Sequence, residues 1–112
     1  SAYEADAIIQ LAKPNLRRSQ IGQDGAGGAM VSTDSRSSKN AWVERSSSIV
    51  TETITLRAAD LLQVDQTLLS SDKNAEELQV VYYKVGQKYD PHHDWAADGE
   101  LASRYITLLF YL

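Results

Sequence analysis

The sequence contains no cysteine, which excludes disulfide bonds, thiolate metal ligands and a thiol nucleophile. It has no apolar run long enough to span a bilayer, so we expect no membrane segment within this chain. The formal net charge is -4 and no basic stripe is present, so the electrostatic signature of a nucleic-acid-binding protein is missing. What remains is a chain of 112 residues, 43% of them hydrophobic, which is the composition of one globular domain or part of one.

Two stretches show the pattern of amphipathic helices. The first helix is expected near residues 2–12, because apolar residues recur there at helical spacing and Ser1 and Glu4 have the spacing of a capping box. The second is expected near residues 48–63, where apolar side chains share one face and Ser48 is placed to cap the first turn. The sequence between them is rich in Gly, Ser, Asp and Asn, which is typical of loops and short strands.

The second half of the chain has the composition of β-strands. The stretches ELQVVYYKV and RYITLLFYL are β-branched, aromatic and alternating, and they predict strands near residues 78–85 and 104–112. Two helices followed by strands favour an α+β fold.

The stretch YDPHHDW follows the first of these strands and contains the only two histidines of the chain. In an extended chain, residues i and i+2 point to the same face, so His92 and Asp94 share a face and His93 points the other way. An imidazole and a carboxylate are two of the three groups in the 2-His-1-carboxylate triad that binds Fe(II). The same spacing also occurs by chance in a solvated turn after Gly86, and on spacing alone that interpretation is favoured.

The flanking residues change this balance, because together they resemble the catalytic domain of the prolyl 4-hydroxylases, which are Fe(II)- and 2-oxoglutarate-dependent dioxygenases. The family pattern is a strand ending in tyrosine, a glycine, Tyr-x-Pro-His-x-Asp with an aromatic residue, and then Arg-x-x-Thr-x-x-x-Tyr-Leu. The stretch RSSKNAW resembles the family's Arg-x-Ser-x-x-x-Trp segment, and EADAIIQLAKP resembles its first helix. The matching residues of the main pattern are Tyr83, Gly86, Tyr89, Pro91, His92, Asp94, Trp95, Arg104, Thr107, Tyr111 and Leu112.

The resemblance implies a fold and a set of site residues. The implied fold is two helices packed on a double-stranded β-helix, or jelly roll, and residues 1–112 would be the N-terminal portion of this single catalytic domain. His92 and Asp94 would bind the iron, whereas Tyr83 and Thr107 would contact 2-oxoglutarate. His93 falls at a variable position and is assigned no chemistry. The positions that match the family's peptide groove, which would take an extended proline-rich ligand, are Arg36, Ser38, Trp42, Glu76 and Tyr89.

The implied reaction is hydroxylation of a peptidyl proline with dioxygen and 2-oxoglutarate, giving succinate and CO2, with ascorbate as reductant. The implied partner is a proline-containing peptide or protein. The resemblance alone suggests the secretory pathway or endoplasmic reticulum, and nothing in these residues fixes the compartment.

The family also needs a second histidine ligand and a basic residue that pairs with the 2-oxoglutarate carboxylate, and both are expected beyond Leu112. We therefore expect a further segment or a partner chain to complete the barrel, and we expect residues 1–112 alone to be inactive. Two alternatives stay open: an inactive relative that serves as a structural or interaction subunit, and a metal-independent module that binds proline-rich peptides through the groove between Trp42 and Tyr89.

Overall fold

The computed structural model of the chain describes residues 1–19, 37–70, 74–91 and 104–112. Both predicted helices are confirmed: α1 spans Ala2–Ala12 and α2 spans Ile49–Leu62. Short 3-10 turns follow α1, precede α2 and follow α2. None of the helices in these ranges is both long enough and apolar enough to cross a membrane.

Each helix begins at the serine that the sequence indicated. Ser1 and Glu4 form a capping box at the start of α1. At the start of α2, the Ser48 hydroxyl accepts a hydrogen bond from the Thr51 amide at 3.1 Å. The Thr51 hydroxyl in turn donates to the Arg45 carbonyl at 2.7 Å, so this cap also fixes the turn that leads into the helix. The helix ends at Gln63, whose left-handed backbone, with φ 55°, stops the helical pattern.

Three antiparallel strands form a sheet in the order β1–β2–β3, with β1 at Arg17–Arg18, β2 at Lys39–Val43 and β3 at Leu78–Tyr82. The register pairs Ala41 with Val80 and Val43 with Leu78. The strand predicted near residues 78–85 is thus found, but it stops at Tyr82.

The core lies between the helices and one face of the sheet. Ile8 of α1 packs with Val50 and Ile54 of α2, and all three are buried. A second buried cluster joins Ala12 of α1 to two residues of β2, Ala41 and Val43, and Leu78 and Val80 of β3 pack against both clusters. Helices on one face of an antiparallel sheet confirm the α+β class. The described strands form only a partial sheet, and the jelly roll stays a prediction.

The strand predicted near residues 104–112 is wrong in this structure, because that segment has no regular secondary structure. A strand requires a neighbour whose backbone completes its hydrogen bonds, and within the described ranges the sheet ends at β3. The segment instead lines an open cleft of about 1730 Å³, together with residues of α1, α2 and β3. Most of the large apolar and aromatic side chains of this segment are therefore exposed to solvent. They are Tyr105, Ile106, Leu109, Phe110, Tyr111 and Leu112.

Candidate functional site

The sheet has one face toward the helices and one face turned away from them. Ala41 and Val43 are buried against α1, so strand alternation turns Trp42 to the open face, where it is 43% exposed. The register places Gln79 of β3 beside Trp42. An exposed indole on an open sheet face is available to a ligand, and its role in a peptide groove stays a prediction.

Tyr83 and Thr107 both line the large cleft. Tyr83 follows β3 directly and is 44% exposed, and Thr107 is exposed within the segment 104–112. Both residues line the same cleft, although they are distant in the sequence. A mainly apolar cleft with a few polar groups in its lining is typical of sites that bind small ligands.

Glu76 is held by a bidentate ion pair. Its two carboxylate oxygens accept hydrogen bonds from Nε and Nη2 of Arg104 at 2.6 and 2.7 Å. This fork-to-fork geometry is the strongest arrangement that a guanidinium and a carboxylate can form. It ties the start of segment 104–112 to the residues just before β3. Glu76 was predicted to line the peptide groove, and in this structure its carboxylate serves to hold two segments of the chain together.

Ser38 lies where β1 and β2 meet, and it is completely buried. Its hydroxyl donates to the Ser19 hydroxyl at 3.0 Å, and its carbonyl accepts from the Ser19 amide at 3.0 Å. Buried hydroxyls need such partners, because an unpaired one costs about 1–3 kcal/mol. The predicted groove role of Ser38 would require its hydroxyl to become accessible, and that role stays a prediction.

The chain between β3 and the histidines turns sharply and then returns to β2. Gly86 has φ 82°, a conformation that favours glycine, and the Gln87 amide donates to the Lys84 carbonyl at 2.9 Å. The side chains of Ser37 and Gln87 fasten this turn to the residues before β2. The sequence indicated the turn through its glycine, but it gave no sign of these fastening residues.

Tyr89, another predicted groove residue, is half-buried and forms an isolated β-bridge. On either side of it, the Lys88 ammonium and the Asp90 carboxylate form a 2.8 Å ion pair. The hydrogen bond to Asp90, with the attraction of its charge, raises the pKa of Lys88 above the usual value for a lysine. Lys88 is therefore fully charged at neutral pH.

The predicted metal ligands His92 and Asp94, and the predicted groove residue Arg36, lie outside the described residues. Within the ranges that are described, histidine, aspartate and glutamate side chains form no group of three that could hold a metal ion. The donor chemistry of the sequence nevertheless suits Fe(II), because it offers one imidazole and one carboxylate two positions apart.

Comparison with known proteins identifies relatives across the whole chain. This chain is 35% identical over 117 residues to prolyl 4-hydroxylase subunit alpha-1 of Caenorhabditis elegans. The alignment covers 97% of this chain and 20% of that protein. The chain is 36% identical over 120 residues to prolyl 4-hydroxylase subunit alpha-1 of Mus musculus. That alignment covers 100% of this chain and 21% of the mouse protein. The chain is also 32% identical over 113 residues to probable prolyl 4-hydroxylase 8 of Arabidopsis thaliana. That alignment covers 97% of this chain and 37% of the plant protein.

No family model matches the chain. The chain spans about one fifth of the length of the alpha-1 subunits. Similarity that extends over essentially all of its residues, in animal and in plant proteins, confirms the resemblance carried by its motifs. The chain is therefore homologous, over its whole length, to a segment of the prolyl 4-hydroxylases.

Proposed function

We propose that this chain is part of the catalytic domain of a prolyl 4-hydroxylase-type dioxygenase, which hydroxylates peptidyl proline with dioxygen and 2-oxoglutarate. The whole-length similarity to prolyl 4-hydroxylases supports the reaction class. Within the structure, the proposal is supported by the place of Tyr83 and Thr107, which both line the same large cleft. Their hydroxyl groups are suited to donate hydrogen bonds to a carboxylate of 2-oxoglutarate.

The iron would be held by His92 and Asp94, with a third protein ligand supplied by the rest of the protein. When bound, the metal and 2-oxoglutarate supply the oxidising chemistry, and ascorbate keeps the metal reduced. The residues of this chain bind and orient the two organic substrates. Tyr83 and Thr107 hold 2-oxoglutarate, and Trp42 offers an aromatic face to the proline-rich substrate. Aromatic-lined surfaces bind such extended segments well, because these ligands lose little conformational entropy on binding.

The jelly roll belongs to the same proposal. A cleft of about 1730 Å³ is larger than the roughly 300–1,000 Å³ of ordinary ligand pockets. One side of it is formed by β3, the last strand of the described sheet, and another by the exposed apolar segment 104–112. Further strands, from the full-length protein or a partner chain, would fill part of this space and would supply a neighbour for the segment. Residues 1–112 alone would then show little or no turnover.

Replacing Tyr83 with phenylalanine tests the cosubstrate contact. The lost hydrogen bond is worth about 0.5–1.5 kcal/mol if neutral and up to about 3 kcal/mol to a charged carboxylate. We therefore expect the KM for 2-oxoglutarate to rise about 2- to 150-fold in the full-length protein, with the KM for peptide nearly unchanged. The control is Tyr3→Phe, since Tyr3 is an exposed tyrosine of α1 that does not line the cleft. Equal effects of the two substitutions would contradict the assignment of Tyr83.

A further inference from the structure

An ion pair joins the two parts of the chain that carry the proposed 2-oxoglutarate contacts. Glu76 lies two residues before β3, and both of its carboxylate oxygens accept hydrogen bonds from Arg104. Arg104 in turn lies three residues before Thr107. We call this ion pair the Glu76–Arg104 brace. The large cleft is lined by Glu76, Arg104, Tyr83 and Thr107, so the brace and both proposed contacts border the same space.

The two proposed contacts are held in place in different ways. Tyr83 directly follows β3, and every residue of β3 is paired with a residue of β2. Backbone pairing therefore defines where Tyr83 lies. Thr107 has no such support, because segment 104–112 has no regular secondary structure and takes no part in the described sheet. The position of Thr107 relative to Tyr83 therefore depends on contacts other than strand pairing.

The brace supplies a contact of this kind with a defined geometry. Nε and Nη2 of Arg104 donate at 2.6 and 2.7 Å to the two different oxygens of Glu76, which fixes the orientation of the guanidinium as well as its distance. Exposed ion pairs usually contribute little, and bidentate pairs of arginine and carboxylate are the exception. Three residues of chain span at most about 11 Å. A fixed Arg104 therefore confines Thr107 to one part of the cleft.

We propose that the Glu76–Arg104 brace positions Thr107 for 2-oxoglutarate, by tying segment 104–112 to β3, the strand that also positions Tyr83. Both cosubstrate contacts are then held by one paired strand, Tyr83 directly and Thr107 through the brace. Glu76 and Arg104 are positioning residues in this account and do not touch 2-oxoglutarate. The inference rests on the proposed function, and it gives Glu76 a role other than contact with the peptide.

The test measures the Kd for 2-oxoglutarate of the full-length protein loaded with Mn(II). Thr107→Val removes the hydroxyl and should raise this Kd about 2- to 150-fold, the range that corresponds to one hydrogen bond to a carboxylate. Glu76→Ala and Arg104→Ala remove the brace from its two sides. Each should raise the Kd at least about 2-fold, and by no more than Thr107→Val does, because each acts only through Thr107.

A double variant separates positioning from direct contact. A residue that acts through Thr107 loses its effect once the Thr107 hydroxyl is gone, whereas independent residues have additive effects on the binding free energy. We therefore expect the double variant Arg104→Ala, Thr107→Val to bind 2-oxoglutarate as weakly as Thr107→Val alone. If the two effects multiply in the Kd, Arg104 acts independently of Thr107 and the inference is wrong.

The KM for a proline-rich peptide distinguishes the brace from the groove role that was predicted for Glu76. In the Glu76→Ala variant, we expect this KM to stay nearly unchanged while the Kd for 2-oxoglutarate rises. The opposite result, a raised KM for peptide with an unchanged Kd for 2-oxoglutarate, would make Glu76 a groove residue and would contradict the inference.

Arg57→Ala is the matched control. Arg57 also pairs with a carboxylate on another element, Glu4 of α1, and its side chain is 57% exposed against 40% for Arg104. Neither Arg57 nor Glu4 is among the described residues that line the large cleft. Its replacement should therefore leave the Kd for 2-oxoglutarate unchanged, whatever its effect on the melting temperature.

The comparison of the two arginines decides whether the brace acts on the site. If Arg104→Ala raises the Kd for 2-oxoglutarate no more than Arg57→Ala does, the brace is only structural and the inference is wrong. If the unaltered protein loaded with Mn(II) binds no 2-oxoglutarate, the proposed function fails and the inference falls with it.

Discussion

Replacing His92 with alanine in the full-length protein is expected to abolish 2-oxoglutarate turnover, whereas replacing His93 should change it little. The proposed site takes one imidazole and one carboxylate from this chain. Removal of that imidazole leaves a facial site with two protein ligands, which holds Fe(II) weakly. The measurement is succinate formation at saturating Fe(II), 2-oxoglutarate and ascorbate, with Fe(II) affinity measured anaerobically as a second reading.

His93→Ala is the matched control for this experiment, because it removes the same side chain one position away. In an extended segment its imidazole points to the other face. If turnover is lost with His93→Ala and kept with His92→Ala, then His93 is the metal ligand and the assignment of His92 is wrong. Equal loss from both substitutions, with normal melting temperatures, would mean that neither histidine acts alone as the ligand.

Replacing Ile8 with alanine is expected to destabilise the domain by about 2–5 kcal/mol, the usual cost of emptying a well-packed aliphatic site. Ile8 is 4% exposed and joins α1 to Val50 and Ile54 of α2. Leu78 and Val80 of β3 also pack against this cluster, so the loss is felt by both helices and the sheet. Denaturant unfolding of the full-length protein measures the change, with the midpoint shifting and the slope unchanged.

Ile49→Ala provides the comparison, since Ile49 is also helical but is 74% exposed at the start of α2. Surface substitutions of this kind usually change the free energy of unfolding by no more than about 0.5 kcal/mol. A cost at Ile8 that is no larger than the cost at Ile49 would contradict the described packing of α1 on α2.

The helices could be predicted from the sequence because their signals are local. Ser1 and Ser48 cap the two helices through bonds to residues three positions later, and the apolar spacing defines the buried faces. The strand β3 was also predictable. It ends at Tyr82, before residue 85 where the prediction placed its end, and the turn that contains Gly86 follows it.

The segment 104–112 shows why the remainder of the fold could not be predicted in this way. Its composition is that of a strand, but a strand forms only beside another strand, and composition does not say whether one is there. Long-range pairing limits the site predictions for the same reason. Glu76 is hydrogen-bonded to Arg104, and Ser38 is hydrogen-bonded to Ser19. No local sequence pattern predicts either contact.

The candidate site could be predicted only as a set of residues matched to a family pattern. The cleft that Tyr83 and Thr107 both line depends on how β3, the helices and segment 104–112 are arranged in space. The contacts between Ser37 and Gln87 were missed because they join residues that are 50 positions apart in the sequence. Such contacts follow from the fold and leave no periodic trace in the sequence.

The most direct test of the account is a coupled measurement of succinate and hydroxyproline, made on the full-length protein with Fe(II), ascorbate, 2-oxoglutarate and a proline-rich peptide. The account predicts peptide-dependent succinate formation, with one hydroxyproline formed for each succinate, and little or no formation of either product by residues 1–112 alone. Tight peptide binding without succinate formation at any Fe(II) concentration would contradict it, and would favour a module that binds proline-rich peptides without a metal.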